Sequence, residues 1–234
     1  MSLIIAFEGL DCSFKKTQSQ MLTYDLKKMD YKVVRESFPR YTTEIGAIIY
    51  KVLHGEYGDI DSLPCQFIDD LYSLDRAVSW YRDIKNKYNE EDSIIVFDRW
   101  IYSNCIYGPA RMKSRNPDIT DVELKNLMMN YIVKEVHQYR LPSPDIVLHM
   151  DMPMDITVKL LAKKKNKDFN ELDLDFMSKV FEVSDLFYKN LMKDNPNIYH
   201  IRCVDDYKDI LTRETIHKDI MDIIINKYLN YKEN

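Results

Sequence analysis

Leu3-Ile4-Ile5-Ala6-Phe7-Glu8-Gly9-Leu10-Asp11-Cys12-Ser13-Phe14-Lys15-Lys16-Thr17-Gln18 decides how this chain is read. An apolar run stops at a lone glycine, and a lysine and a threonine then open an amphipathic helix. A buried strand, a tight loop and a helix N-terminus follow one another, and that sequence of parts attracts anions. The first N–H groups of a helix have no intrahelical partner, and the dipole turns its positive end toward them. The phosphate-loop pattern G-x-x-x-x-G-K-[ST] is met at Gly9 and Lys15 only. Phe14 stands where the pattern has glycine, and Lys16 where it has a hydroxyl.

Outward from this stretch, apolar runs alternate with helix-period segments. Strands are expected over 3–7, 32–36, 94–97, 146–150 and 197–201. Helices are expected over 17–29, 44–53, 63–87, 121–139, 154–162, 172–192 and 223–228. Ile94-Ile95-Val96-Phe97 is apolar throughout, as in a strand covered on both faces. On the 63–87 helix, Phe67, Leu71, Leu74 and Val78 form an apolar stripe. The alternation predicts an α/β fold, a parallel five-stranded sheet flanked by helices. Without repeats, low-complexity tracts or a Pro/Gly/Ser linker, one domain over 1–234 is expected. Ligands of such sheets gather at the carboxyl ends of the strands. Three of those ends carry a cation: Lys15 after the first strand, Arg40 after the second, Arg99 after the third.

Composition narrows the classes. At 234 residues, 45% hydrophobic and 30% charged, the chain is long enough for one well-buried core. A net charge of −5 argues against a protein devoted to gripping nucleic acid. Lys163, Lys164, Lys165 and Lys167 still form a basic cluster suited to a small polyanion. Cys12, Cys65, Cys105 and Cys203 show no C-x-x-C spacing and read as reduced thiols, and the scattered histidines do not read as a zinc set. No apolar run approaches the ~20 residues that span a bilayer, so no membrane association and a cytoplasmic location are expected. Cations at three strand ends suit phosphoryl transfer, whose transition state is stabilised by positioning and by charge on the peripheral oxygens.

Several separated blocks resemble the thymidylate kinase family. Glu8-Gly9-Leu10-Asp11 matches its E-G-x-D opening, and Lys15-Lys16-Thr17-Gln18 its loop end. Phe38-Pro39-Arg40-Tyr41 matches F-P-R, and Leu71-Tyr72-Ser73-Leu74-Asp75-Arg76-Ala77 resembles L-F-x-x-D-R-A. Asp98-Arg99-Trp100 with Ser103, Asn104 and Tyr107 follows D-R-Y-x-x-S-x-x-x-Y. Pro144-Asp145, Leu148 and Asp151-Met152-Pro153 follow P-D-x-x-x-x-L-D-x-P. The resemblance implies a P-loop nucleotide kinase fold with a short lid over 163–172. It implies ATP and Mg2+, transfer of the ATP γ-phosphate to dTMP, and a homodimer.

The same resemblance implies roles residue by residue. Gly9, Leu10, Asp11, Cys12, Ser13, Phe14, Lys15, Lys16 and Thr17 would hold the ATP phosphates. Lys15, Asp11, Arg99 and Arg40 would be catalytic, the two arginines on the acceptor's 5′-phosphate. Phe38, Tyr41, Tyr72, Arg76, Asp98, Ser103, Asn104 and Tyr107 would line the acceptor site. There Tyr72 would lie against the base, Arg76 would donate to a base carbonyl, and Tyr107 would disfavour a 2′-hydroxyl. Asp11, Thr17 and Glu171 would serve Mg2+. Asp168-Phe169-Asn170-Glu171 matches the lid end D-R-x-E except that Phe169 replaces arginine, so the lid charge would pass to a lysine. Two conformations are open to Phe14: its ring turns behind the loop, or it blocks the donor phosphates. The first is expected, because the acceptor-side residues are intact. The other readings are a catalytically weak nucleotide-binding relative and a kinase for another pyrimidine nucleotide, since Gly108 stands where the family often has glutamine.

Overall fold

The structure, a computed structural model, describes residues 2–90 and 92–229. Five parallel strands, β1 (Leu3–Gly9), β2 (Lys32–Ser37), β3 (Ser93–Asp98), β4 (Ile146–Asp151) and β5 (Ile198–Arg202), lie in the order β2-β3-β1-β4-β5. The five strands expected from the apolar runs are all present, with ends that differ by one or two residues. Phe7 pairs with Asp98 and Gly9 with Met150, so the central strands end side by side and deliver their loops to one edge.

The helices are α1 (Lys15–Lys28), α2 (Glu44–Leu53), α3 (Cys65–Ser79), α4 (Lys85–Tyr88), α5 (Tyr102–Arg115), α6 (Asp121–Ile132), α7 (Met154–Lys163), α8 (Phe169–Leu172), α9 (Leu174–Leu186) and α10 (Arg213–Ile224). Alternation along the strands sorts them into two layers. Ile4, Ala6, Ile95 and Phe97 face Trp100, Ile106, Val180 and Phe187, from α5, α9 and their flanking turns. Ile5, Phe7, Ile94 and Val96 face Leu22 and Leu26 of α1 and Ile216, Ile220 and Ile224 of α10. A strand buried on both faces has no polar side to offer, which is why β1 and β3 read as continuous apolar runs.

One helix lies beyond the expectations, and one apolar stripe is only partly buried. The helix α5 was not read from the sequence, because Gly108 and Pro109 interrupt its pattern. It forms nevertheless, packed against α3, α6 and α9. The apolar stripe of the 63–87 helix is divided: Leu71 is buried at 8% exposure, whereas Phe67 and Val78 are each 38% exposed. The buried side of α3 also carries Ile68, Asp69, Ser73, Asp75, Arg76 and Ala77. It is polar because it forms the wall of a cavity. The 63–87 expectation is otherwise met, as α3 runs through a π-helical turn at Trp80–Ile84 into α4.

Candidate active site

The loop between β1 and α1 takes its shape from three backbone positions. Gly9 has φ +140, and a Cβ there would lie 2.7 Å from the Met150 carbonyl oxygen, so only glycine lets the loop leave the sheet here. Cys12 and Phe14 adopt the left-handed region at φ 59 and 64, conformations that non-glycine residues reach at a cost. The Phe14 ring packs on the apolar cluster shared by α1 and α10. Side-chain oxygens cap the N-termini of α2, α6, α8, α9 and α10; α1, preceded by Phe14, has no side-chain cap, as is also true of α3, α4, α5 and α7, but it alone follows the tight loop after β1. Its first N–H groups are therefore left for an anion.

Lys15 is folded onto this loop. Its Nζ donates to the Leu10 carbonyl, and to Ser13 Oγ at 3.3 Å. Burial, reinforced by the Arg99 charge, pushes its pKa down to about 8. Lys16 is exposed and Thr17 half-buried on the first turn of α1.

Beside the loop, Arg99 Nη2 donates to Asp11 Oδ1 at 2.5 Å and to the Tyr107 hydroxyl at 3.2 Å, and Nη1 to the Gly9 carbonyl at 3.1 Å. The Tyr107 hydroxyl donates in turn to Asp11 Oδ2 at 3.0 Å. Burial alone would raise the Asp11 carboxyl. The Arg99 guanidinium, Lys15 and the Tyr107 hydroxyl outweigh it and hold the group below the usual carboxylate range. Arg99 is thus a half-buried cation at the end of β3, paired among the described residues with the Asp11 carboxylate at the mouth of the loop.

That trio opens onto a cleft of about 550 Å3, lined by Asp11, Phe38, Pro39, Tyr41, Leu53, Tyr72, Arg76, Arg99, Ser103, Asn104, Tyr107, Asp168 and Asn170. Nine residues singled out from the sequence therefore share one cavity: Asp11, Phe38, Tyr41, Tyr72, Arg76, Arg99, Ser103, Asn104 and Tyr107. Ser103 Oγ donates to Glu8 Oε2 at 2.6 Å, and the Trp100 N–H to Glu8 Oε1 at 2.8 Å, which fixes the start of α5 to β1.

Other expected residues lie outside the lining. Arg40 is held by Asp83 at 2.7 Å and Glu36 at 3.2 Å, while its N–H donates to Asp75 Oδ2. Asp98 accepts from Arg35 Nη2 at 3.1 Å and Ser37 Oγ at 3.2 Å, so it orders the strand ends rather than facing the cleft. Glu171 binds Lys164, and with Asp168 it caps the short helix α8. Lys163 and Lys165 are exposed, and Lys167 is half-buried. Among the described residues no group of three or more His, Cys, Asp or Glu side chains is placed to hold a metal.

Sequence reasoning missed Pro39, Leu53, Asp168 and Asn170 in the lining, and a buried network behind it. Glu135, fully buried in the turn after α6, accepts from Ser73, Arg76 and Asn104. A signal for it existed. Leu124, Met128, Tyr131 and Glu135 recur at helical spacing, so a carboxylate occupies the buried stripe. Gly108 permits the close approach of this helix, since a Cβ there would meet the Tyr131 ring at 2.5 Å.

Known proteins resemble the chain along its length. A family model described as thymidylate kinase matches residues 7–212. A probable thymidylate kinase of Thermococcus gammatolerans is 24% identical over 234 residues, covering 98% of this chain and 99% of its own length. The thymidylate kinase of Mycoplasma capricolum is 26% identical over 238 residues, covering 99% and 97%. That of Mycobacterium tuberculosis is 32% identical over 113 residues, 47% of this chain and 50% of its own. The solved structure of thymidylate kinase from Candida albicans is similar at a TM-score of 0.69 and 23% identity, covering 95% of this chain and 91% of that one. Likeness at that identity shows the fold.

Proposed function

The chain belongs to the thymidylate kinase family, and from that premise we propose how it transfers the ATP γ-phosphate to dTMP to give dTDP. One observation carries the reading. Arg99, Asp11 and Tyr107 stand where an uncapped helix N-terminus meets a cleft walled by Tyr72, Arg76 and Asn104. A phosphate donor site and a nucleoside-sized acceptor site thus share one boundary, and an in-line transfer needs that arrangement.

In this reading the α1 N-terminus and Lys15 hold the ATP phosphates, Lys15 exchanging the Leu10 carbonyl for phosphate oxygen. Arg99 takes the acceptor's 5′-phosphate, and Arg40 joins it by leaving Glu36 and Asp83. The nucleophile is an oxygen of that phosphate, already ionised, so no general base is required. It attacks the γ-phosphorus as the bond to the ADP oxygen breaks. Tyr72 lies against the base and Tyr107 crowds the sugar. The lid spans 163–172, and its cation is supplied by a lysine.

The donor set fits Mg2+ in part. Mg2+ keeps several waters and asks for one or two carboxylates beside substrate phosphates. Asp11, held ionised at the loop mouth, suits this, with Thr17 as the neighbouring hydroxyl. Glu171, engaged by Lys164, serves only if the lid rearranges. The bound ion supplies neutralisation of phosphate charge.

Mixing the protein with ATP, Mg2+ and dTMP tests the reading, the expected products being dTDP and ADP. Lys15→Ala should lower turnover roughly 10²- to 10⁴-fold while dTMP still raises the melting temperature. Loss of both would make Lys15 structural. No product from the intact protein, with dTMP still stabilising it, would leave a nucleotide-binding relative instead. The same reading includes a homodimer, supported by exposed Phe67, Val78 and Tyr81 along α3 and its continuation, beside Met129 and Val133 of the α6 rod. It also includes a cytoplasmic location. Four free cysteines support that, and no helix among the described residues is long and apolar enough to cross a membrane.

A further inference from the structure

Behind the acceptor cleft, four side chains form a sealed polar knot. Glu135 and Ser73 are fully buried, and Arg76 and Asn104 are 1% and 3% exposed. Glu135 Oε1 accepts from Ser73 Oγ at 2.7 Å, Arg76 Nη2 at 2.8 Å and Asn104 Nδ2 at 3.0 Å. Asn104 Nδ2 also points at Ser73 Oγ, 2.9 Å away, and at the Asp69 carbonyl, 3.2 Å away.

The chemistry of these partners fixes which way the Asn104 amide faces. A carboxylate and a backbone carbonyl only accept, and the Ser73 hydrogen is already given to Glu135, so all three demand a donor. Asn104 must therefore turn its nitrogen inward and its Oδ1 toward the cleft it lines. Arg76, gripped through Nη2 and, at 3.4 Å, through Nε on Glu135 Oε2, is likewise left with Nη1 as a donor. Among the described residues neither Oδ1 nor Nη1 has a protein partner, and neither is among the polar atoms sealed without one. The cleft thus presents an acceptor beside a donor. Thymine and uracil carry the complement, an N3–H beside the C4 carbonyl, whereas cytosine presents a bare N3 beside an amino group.

We propose that Glu135, which does not face the cleft, is the positioning residue that sets base selectivity by locking the Asn104 amide and the Arg76 fork in this polarity. The inference rests on the dTMP-kinase reading of the same cleft. Glu135→Gln keeps the shape and adds an NH2. The new NH2 takes the place of Oε2, opposite Arg76 Nε, and the neutral Oε1 grips Arg76 Nη2 and the Asn104 amide less firmly, so that both can turn.

The experiment is steady-state kinetics of wild type and E135Q with dTMP, dUMP and dCMP at saturating ATP and Mg2+. For wild type, dTMP should exceed dCMP in kcat/KM by roughly 10³ or more. In E135Q the KM for dTMP should rise roughly ten- to hundred-fold and the dTMP/dCMP ratio fall at least about tenfold, because charge-assisted hydrogen bonds of this size are lost. The kcat should stay within about fivefold, since the phosphate end is untouched, and dUMP should follow dTMP throughout. Folded E135Q with a lower melting temperature but a wild-type KM and a wild-type ratio would overturn the proposal, leaving Glu135 a structural counter-ion. Should E135Q fail to fold, Ser73→Ala decides. A fall of about threefold or more in the ratio supports the proposal, and an unchanged ratio overturns it. Wild type that ignores dTMP, or prefers dCMP, would instead overturn the acceptor assignment.

Discussion

Lys15 shows what burial does to a single functional cation. Its pKa near 8 lies below the ordinary 10.5 because the ammonium is desolvated beside Arg99. Between those values the unfolded chain holds a proton that the folded protein lacks, so this group's contribution to stability rises with pH across 8 to 10.5. ATP reverses the balance, since phosphate oxygens favour the ammonium. The complex should therefore take up a proton when the pH is near or above about 8, and the KM for ATP should climb from about pH 7 to about pH 9. Calorimetry at about pH 8.5 in buffers of different ionisation enthalpy should show uptake approaching one proton per ATP, shrinking toward about pH 7. No uptake at that higher pH would mean that Lys15 is already charged in the free protein. Phe14 poses the opposite question, strain against burial. Its left-handed backbone costs about 1–2 kcal/mol, its partly buried ring contributes about 2 kcal/mol, and glycine adds about 1 kcal/mol of unfolded-state entropy. Phe14→Gly should thus lose about 1–2 kcal/mol, or roughly 2–8 °C in Tm, with the KM for ATP within about threefold. A tenfold tighter KM would show that the ring obstructs phosphate. From sequence the loop's two departures were visible and the ring was expected behind the loop, where it packs; the cluster that receives it was not visible, because it is built with α10, some two hundred residues away.

At the scale of elements, motif blocks located the cleft better than periodicity did. The blocks at Tyr72–Arg76 and Ser103–Tyr107 fall on α3 and α5, and both helices mislead a hydrophobic-pattern reading. The buried face of α3 is polar, and α5 contains Gly108 and Pro109. Functional walls violate the rule that polar residues face out, so pattern reading fails where the site is. The segment proposed as a lid, 163–172, was picked out by its lysine cluster, yet its anchoring was not. Phe169, in place of the family's arginine, packs on the small apolar cluster of α2 and α3, with its ring tip 3.0 Å from where a Gly55 Cβ would stand. Asp168 and Asn170 on either side of it line the cleft. Phe169→Ala removes an apolar anchor of about 2 kcal/mol. Amides over 163–172 should then exchange roughly 10- to 30-fold faster, with the KM for dTMP rising more than that for ATP. Hydrogen exchange by mass spectrometry reads the first effect and initial rates the second. Unchanged protection would remove Phe169 as the tether of this segment.

For the whole molecule, the alternation of strands and helices was readable because both faces of the central sheet are buried, so β1 and β3 carry apolar runs, whereas the order β2-β3-β1-β4-β5 was not read from the sequence. How two copies would meet depends on which apolar residues remain outside once the core is complete. The apolar face over 63–78 is the one the sequence offers for a dimer: Leu71 joins the core, while Phe67 and Val78 lie outside, with Tyr81 48% exposed on the same rod. The neighbouring rod of α6 adds Met129 and Val133, each 42% exposed, and the Asp70–Lys134 and Ser73–Glu135 contacts hold the two rods together. Apolar side chains scattered singly need no partner, but a run along two packed helices is the kind of patch that marks an interface. In an isologous dimer each substitution is felt twice, once from each protomer. Val78→Asp would place two desolvated carboxylates in such a contact, a penalty well above that of a surface substitution. Light scattering at micromolar concentration should therefore give twice the chain mass for the wild type and a single chain mass for Val78→Asp, with unchanged far-ultraviolet circular dichroism. A wild type that runs as one chain at every concentration would leave the α3 stripe without a partner of its own kind, and the homodimer reading would fail with it.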